Sequence, residues 1–265
     1  MKVASVVFLE KDFYDIQSSQ SFTRKIREWL DCCLDKEIEI VVFPGLLGCL
    51  YGCSDGYLEE IMEMSILYKN IYICPGSYIE EQKSHKYHSS CIIKNGSKCL
   101  EQRQIYLAKW EKEKGLSRGC IVDSIIINGM KTALMLSTDM FYPQVSRHIA
   151  MAGVDLVMAP AAIKGGENIH MQISGLWQNV QQNLFFAVEC GFKGNLFNHD
   201  FYSYSAIHAP LEMTIRENGI LAFEGKNCKS QIIMADLDNE KRKEAIKKFN
   251  TLAQLNIEFY KDIFR

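Results

Sequence analysis

The stretch TALMLSTDMFYPQ, Thr132 to Gln144, holds the side chains best placed for chemistry. Its apolar run, Ala133 to Leu136, stops at Ser137, Thr138 and Asp139, and aromatic residues and Pro143 follow. Enzymes often place a nucleophile at such a strand-to-turn junction, where the side chain is rigid but faces a cleft. A serine hydroxyl there needs a base beside it. Asp139 and His208 complete a nominal Ser–His–Asp inventory with Ser137, although a triad is defined by geometry. Cys49 and Cys53, in the loop GLLGCLYGCSDG, are thiols within reach of the same region, and His170 lies in a loop, GGENIHMQISGLW, suited to lining a pocket. The plainer readings are a small hydrophobe for a free Cys and a satisfied structural group for a lone His. His85 and His88 have an i, i+3 spacing, but their segment reads as loop and strand, hence as solvated surface. No zinc-ligand spacing occurs, so no metal and no cofactor are expected.

The elements that must position these groups alternate between strand and helix. Strands are expected over 2–10, 38–44, 71–80 (a strand entering a turn), 154–160 and 230–238, and within 205–225. Amphipathic helices are expected over 18–36 (Phe22, Ile26, Trp29, Leu30 and Cys33 on one face), 55–70 with Asp55 as N-cap, 142–153 ended by Gly153, and 239–250. Residues 87–104 and 120–137 read as hairpins turning at Asn95-Gly96 and Asn128-Gly129. Residues 174–191 begin as helix and end as strand. Ile246 and Phe249 are expected to face the protein. The apolar tail LAQLNIEFYKDIFR is suited to docking on its own subunit or on a second one. No linker or repeat divides the 265 residues, so a single α/β domain over 1–265 is expected.

Apolar residues are 48% of the chain, enough for a sizeable core, and charged residues 23%. A net charge of −2 argues against nucleic acid or anionic membrane as a partner. No apolar run has the length of a membrane span, and the N-terminus does not read as a signal peptide. Ten cysteines without an export signal are expected to be reduced, mostly buried thiols in a cytoplasmic protein.

Five segments, in order, resemble those of the nitrilase, or carbon–nitrogen hydrolase, superfamily. IEIVVFPGLLG resembles the strand ending Phe-Pro-Glu, and EQRQIYLAKWEKEKGLSRG the segment Tyr-Arg-Lys-x-His-Leu with a later acidic residue. TALMLSTDMFYPQVSRHIAMAGVDLVMAPAA resembles Gly-x-x-x-Cys-Tyr-Asp-x-x-Phe-Pro-Glu running on to Pro-Ala-Ala. QNLFFAVECGFKG resembles Glu-Asn-x-x-Phe, and IIMADLD the closing strand. The resemblance implies a four-layer α-β-β-α sandwich whose subunits commonly pair as homodimers. It also implies hydrolysis of nitriles or amides, or acyl transfer, by a Glu base, an oxyanion-stabilising Lys and a Cys nucleophile.

Those three positions fall on Gly45, Gln104 and Ser137. Gly45 has no group to accept a proton, Gln104 brings no charge, and Ser137 lacks the base that a hydroxyl requires. The second Glu of the family falls on Glu111, which fits the spacing better than Glu113. Asp139, Pro143, Arg147 and Pro160-Ala161-Ala162 fit the pattern and read as scaffold. Losing one member of a concerted set typically costs a factor of about 10³ or more. The expectation is therefore a pseudoenzyme with a cleft lined by Gly45, Gln104, Glu111, Ser137 and Asp139. That cleft, with Tyr142, His170 and His208 as further binding residues, suits a small amide- or carboxylate-bearing ligand, or the protein acts on a partner. The alternative is a carbon–nitrogen hydrolase or acyltransferase of altered chemistry, using Ser137 or a nearby Cys.

Overall fold

The structure, a computed structural model, describes residues 1–16, 18–226, 228–249 and 251–263. In chain order the strands are β1 (Lys2–Val6), β2 (Ile40–Val42), β3 (Tyr72–Cys74), β4 (Ser77–Gln82), β5 (His85–Lys94), β6 (Ser97–Arg103), β7 (Ser124–Ile127), β8 (Met130–Leu134), β9 (Leu156–Ala161), β10 (Phe186–Gly191), β11 (Lys193–Leu196), β12 (His199–Tyr202), β13 (Ala206–His208), β14 (Ile220–Phe223) and β15 (Ile232–Asp236). The helices are α1 (Glu10–Asp15), α2 (Ser19–Asp35), α3 (Ser54–Leu67), α4 (Lys109–Glu113), α5 (Pro143–Met151), α6 (Ile169–Gln172), α7 (Gln178–Asn183), α8 (Asn239–Phe249) and α9 (Ile257–Ile263).

One sheet runs β15-β1-β2-β3-β5-β4 with β6 on β5, and the other runs β14-β13-β10-β9-β8-β7. Their strands are apolar at successive positions because both faces of each sheet are covered. On the second sheet, Leu134, Leu156, Met158, Phe186 and Val188 face the first sheet and join a cluster that continues into α2 and α3. The alternate residues Ala133, Val157, Ala159 and Ala187 face outward, against Val145 and Ile149 of α5 and Val180 of α7. The result is the expected order of layers, α-β-β-α. Both hairpins turn where expected, with Asn95, Gly96, Asn128 and Gly129 all at positive φ.

Several expectations are corrected. The first strand stops at Val6, and Glu10–Asp15 is helical. Asp55 does not cap α3; Cys53 is the N-cap, without a side-chain bond, and Asp55 sits in the first turn. The segment 71–80, expected as a strand entering a turn, turns at Pro75-Gly76 and then resumes as β4; Gly76 has φ 87° and a Cβ there would lie 2.1 Å from the Pro44 carbonyl oxygen. Between β13 and β14 the chain leaves the sheet for a short 3-10 turn, Leu211–Met213. The helix α4 and the β11–β12 hairpin escaped the sequence reading, being too short to show periodicity. On α8 the buried residues are Arg242 and Ala245, whereas Phe249 is exposed; Asn250 lies outside the described residues. Arg242 is buried because its guanidinium pairs with Asp155 and donates to the Leu184 carbonyl at 2.9 Å. Four of the ten cysteines are buried, so burial is not their general rule. In the tail, Ile257 and Phe259 are exposed, and Phe264 and Arg265 lie outside the described residues. No helix among the described residues is long and apolar enough to cross a membrane.

Candidate active site

Gly45, Gln104, Ser137 and Asp139 converge where β2, β6, β8 and β9 end. Ser137 opens a 3-10 turn directly after the β8 run, with φ 27°, the left-handed backbone of a sharp strand-to-turn junction. Its side chain does not face a cleft. Ser137 is buried, and its Oγ accepts a hydrogen bond from the Ala162 amide at 3.2 Å. Gly45 meets the same backbone from the other side. A Cβ there would lie 2.6 Å from the Ala161 carbonyl carbon, 2.8 Å from its oxygen and 2.8 Å from the Ala162 nitrogen. No side chain, and so no carboxylate, fits at position 45 as the backbone stands.

Asp139 lies two residues beyond Ser137 and turns to the chain after β6. It accepts from the Tyr106 amide at 2.7 Å and from the Ile105 amide at 3.1 Å. Burial pushes its carboxyl up to about 7, against those two amide bonds, which pull it down, while Glu111 nearby raises it further. Tyr142 stacks on Tyr106, with ring centroids 3.8 Å apart and planes 9° from parallel. The Asp139 carboxylate and this ring stack hold residues 104–106 against the Ser137 turn.

Gln104 is buried and fully engaged on its amide nitrogen, which donates to the Tyr106 carbonyl at 2.8 Å and to Glu111 Oε2 at 2.7 Å. Its Oε1 is buried without a partner among the described residues. Glu111 is the third residue of α4 and reaches back to the Ala108 amide at 2.6 Å, the usual role of Glu at that helical position. Its other oxygen receives His88 Nδ1 at 2.6 Å, and His88 Nε2 lies 2.6 Å from Ser77 Oγ. Ser77 Oγ in turn accepts from the Leu46 amide at 2.7 Å, one residue from Gly45. The contacts thus form a circuit: Gly45 to Ala162, Ser137, the Asp139 turn, Tyr106, Gln104, Glu111, His88, Ser77, Leu46 and back. Gly45, Gln104, Glu111, Ser137 and Asp139, expected to line a cleft, are all buried.

His88 is the largest correction. It is not solvated surface but fully buried, because His88 of β5, Ser77 of β4 and Gln104 all point from one face of the sheet. The register explains this: Ser77 pairs with Ser90 and Ile79 with His88, which makes Ser77 and His88 diagonal same-face neighbours. His85, three residues earlier, has the opposite orientation; it is exposed and bonds Ser117. Nothing in the local pattern distinguishes the two.

The nominal Ser137–His208–Asp139 set does not form. His208 Nε2 is bonded to Glu189 at 2.9 Å on the neighbouring strand, under α6 and α7. His208 borders a small apolar cavity with Ile173, Trp177 and Phe223, whereas His170 is exposed on the first turn of α6. The larger opening near the circuit is a cavity of about 570 Å³ outside the Leu46–Cys53 segment, lined by Gly48, Cys49, Cys53, Lys86, Lys114 and Phe197 among others. Both candidate thiols face it. Burial pushes the Cys49 thiol up to about 12, with Lys114 offsetting part of that, so at neutral pH Cys49 is a thiol and not a thiolate nucleophile. The Lys114 ammonium sits 4.3 Å from the centre of the Phe197 ring.

No protein-family model matches this sequence, and no curated protein matches it. Solved structures do. A carbon–nitrogen hydrolase from Helicobacter pylori G27 superposes with a TM-score of 0.81 at 18% identity, over 100% of this chain and 97% of that one. The NitN amidase from Nesterenkonia sp. AN1 gives 0.80 at 14% identity, over 99% of each chain. A serine-for-cysteine variant of the AN1 amidase, described as of the nitrilase superfamily, gives 0.79 at 15% identity, over 99% of this chain and 97% of that one. A similarity that spans both chains from end to end, at identities this low, is a likeness of fold. The chain therefore has the four-layer fold of the nitrilase-superfamily carbon–nitrogen hydrolases.

Proposed function

We propose that this protein does not hydrolyse carbon–nitrogen bonds at the position the fold uses in the amidases, and that it acts by binding. The observation that carries the reading is the contact at Gly45. The family's base would have to occupy space filled by the Ala161–Ala162 backbone, and of the two hydrogen-bonding groups nearby, Ser137 Oγ is engaged by the Ala162 amide and the Gln104 amide nitrogen by Glu111. Neither Asp139 nor His208 is placed to take the Ser137 proton, since each is bound elsewhere. The alternative of an altered Ser137 enzyme therefore lacks a base, and the Cys49 variant of it lacks a thiolate.

The ligand site that fits this reading is the cavity over Leu46–Cys53. Its volume suits a small molecule, Lys114 offers an ammonium that lies over the Phe197 ring, the other lysine of the lining, Lys86, is paired with Glu81, and Tyr78, Ile79 and Leu116 give an apolar wall. A small carboxylate is the preferred ligand, with an amide as the weaker competitor. The reading also includes one domain over 1–265 and pairing of subunits, which light scattering at micromolar concentration checks directly. The decisive experiment is a thermal-shift screen with small carboxylates and amides, read alongside ammonia release. Stabilisation that is lost in Lys114→Ala, with no ammonia, supports the proposal. Ammonia release from amides or nitriles that disappears in Ser137→Ala refutes it.

A further inference from the structure

The buried set Ser77, His88 and Glu111 has the atom-to-atom order of a hydrolytic triad. Serine Oγ is 2.6 Å from imidazole Nε2, and Nδ1 is 2.6 Å from the carboxylate. Ser77 Oγ accepts from the Leu46 amide, and with the serine hydrogen on Nε2 the ring proton lies on Nδ1 toward Glu111. That is the arrangement in which an imidazole takes a serine proton as general base. The second oxygen of Glu111 is held by the Ala108 amide and by Gln104, which fixes the carboxylate and through it the ring. Ser77 follows Gly76, at a left-handed turn, and opens β4.

We propose that Ser77 is the nucleophile of a latent Ser–His–Glu centre acting on esters of small acids, with His88 as base and Glu111 as its positioning residue. This centre is separate from Ser137. The cavity lined by Gly48 and Cys49 lies against the Leu46–Leu50 turn, and substrate reaches Ser77 from it once that turn is displaced. What covers Ser77 is the Leu46–Leu50 turn, whose Leu46 holds a left-handed φ of 56°, an uncommon conformation for a residue other than glycine. Displacing that turn exposes Oγ and frees the Leu46 amide.

The chemistry balances within the chain. Ser77 Oγ bonds to the acyl carbon while its proton passes to His88 Nε2. The bond from acyl carbon to the alcohol oxygen breaks, and that oxygen takes the proton from Nε2. Water, with His88 again as base, then cleaves the acyl-serine, releasing the acid and restoring Ser77.

The test is labelling of the full-length protein with a fluorophosphonate, located by peptide mapping, together with hydrolysis of p-nitrophenyl acetate. The expected result is one adduct on Ser77, retained in Ser137→Ala, and a kcat/KM that falls by about 10³-fold or more in Ser77→Ala. His88→Asn loses the labelling while keeping the circular dichroism of the folded protein. Absence of an adduct on Ser77 in folded wild-type protein, or an adduct on another residue alone, overturns the proposal, and this reading needs no variant to fold. Its failure is distinct from failure of the binding proposal, whose signature is ammonia release dependent on Ser137.

Discussion

The closed position at Gly45 can be tested with a single methyl group. Gly45→Ala puts a Cβ 2.6 Å from the Ala161 carbonyl carbon and 2.8 Å from both the carbonyl oxygen and the Ala162 nitrogen. Carbon atoms pack best about 3.5–4.0 Å apart, so the overlap is roughly 1 Å. The obstacle is backbone at the end of β9, and it is tied down. The Ala161 carbonyl accepts from the Phe192 amide at 2.9 Å, and the Ala162 amide donates to Ser137 at 3.2 Å. Forcing an extra methyl group into a packed site costs about 1–3 kcal/mol, and rigid surroundings favour about 3 kcal/mol here. Gly45 does not have a positive φ, so the added Cβ carries no backbone penalty. Replacing glycine instead gains back about 0.4–1 kcal/mol through the unfolded chain. The net expectation is a loss of about 2 kcal/mol, a fall in Tm of roughly 4–8 °C for a chain of this size. Urea unfolding followed by circular dichroism measures it. A Gly45→Ala protein within about 0.5 kcal/mol of wild type would show that the site is open, and would remove the basis for calling the family position inert.

Three further outcomes follow from the same contacts. Ser137→Ala leaves the buried Ala162 amide without its acceptor and is expected to cost about 1–3 kcal/mol in urea unfolding; a neutral result would mean that the bond does not form. Asp139 has a folded pKa raised to about 7 by burial, above the unfolded value of about 3.9, so its contribution to stability is present below about pH 4 and is lost as pH rises through about 7. Urea midpoints measured across that range should fall more steeply with pH in wild type than in Asp139→Asn, and equal slopes would refute the assignment. Arg242→Ala removes the guanidinium that joins α8 to Asp155 and the Leu184 carbonyl; because Asp155 keeps some solvent, the expected loss is about 2 kcal/mol, below the usual range for a fully buried pair, read from the same unfolding curves.

Much of the architecture was written locally. Asn-Gly pairs fixed both hairpins, the face Phe22–Ile26–Trp29–Leu30–Cys33 fixed α2, and Gly153 marked the end of α5. These features depend on neighbours within a few residues, which is why sequence can carry them. The residue types at 45, 104 and 137 were equally plain, and the proposal that the base, the charge and the thiol are missing rests on them. Sequence could not decide whether a cleft survived those replacements. That depended on the Ala161–Ala162 backbone moving into contact with a glycine more than a hundred residues away, a matter of long-range packing. Nor could it separate His85 from His88. Strand alternation allows either to point inward, and only the pairing of β4, β5 and β6 placed His88 between Ser77 and Glu111, where burial leaves hydrogen bonding as the sole way to satisfy each group.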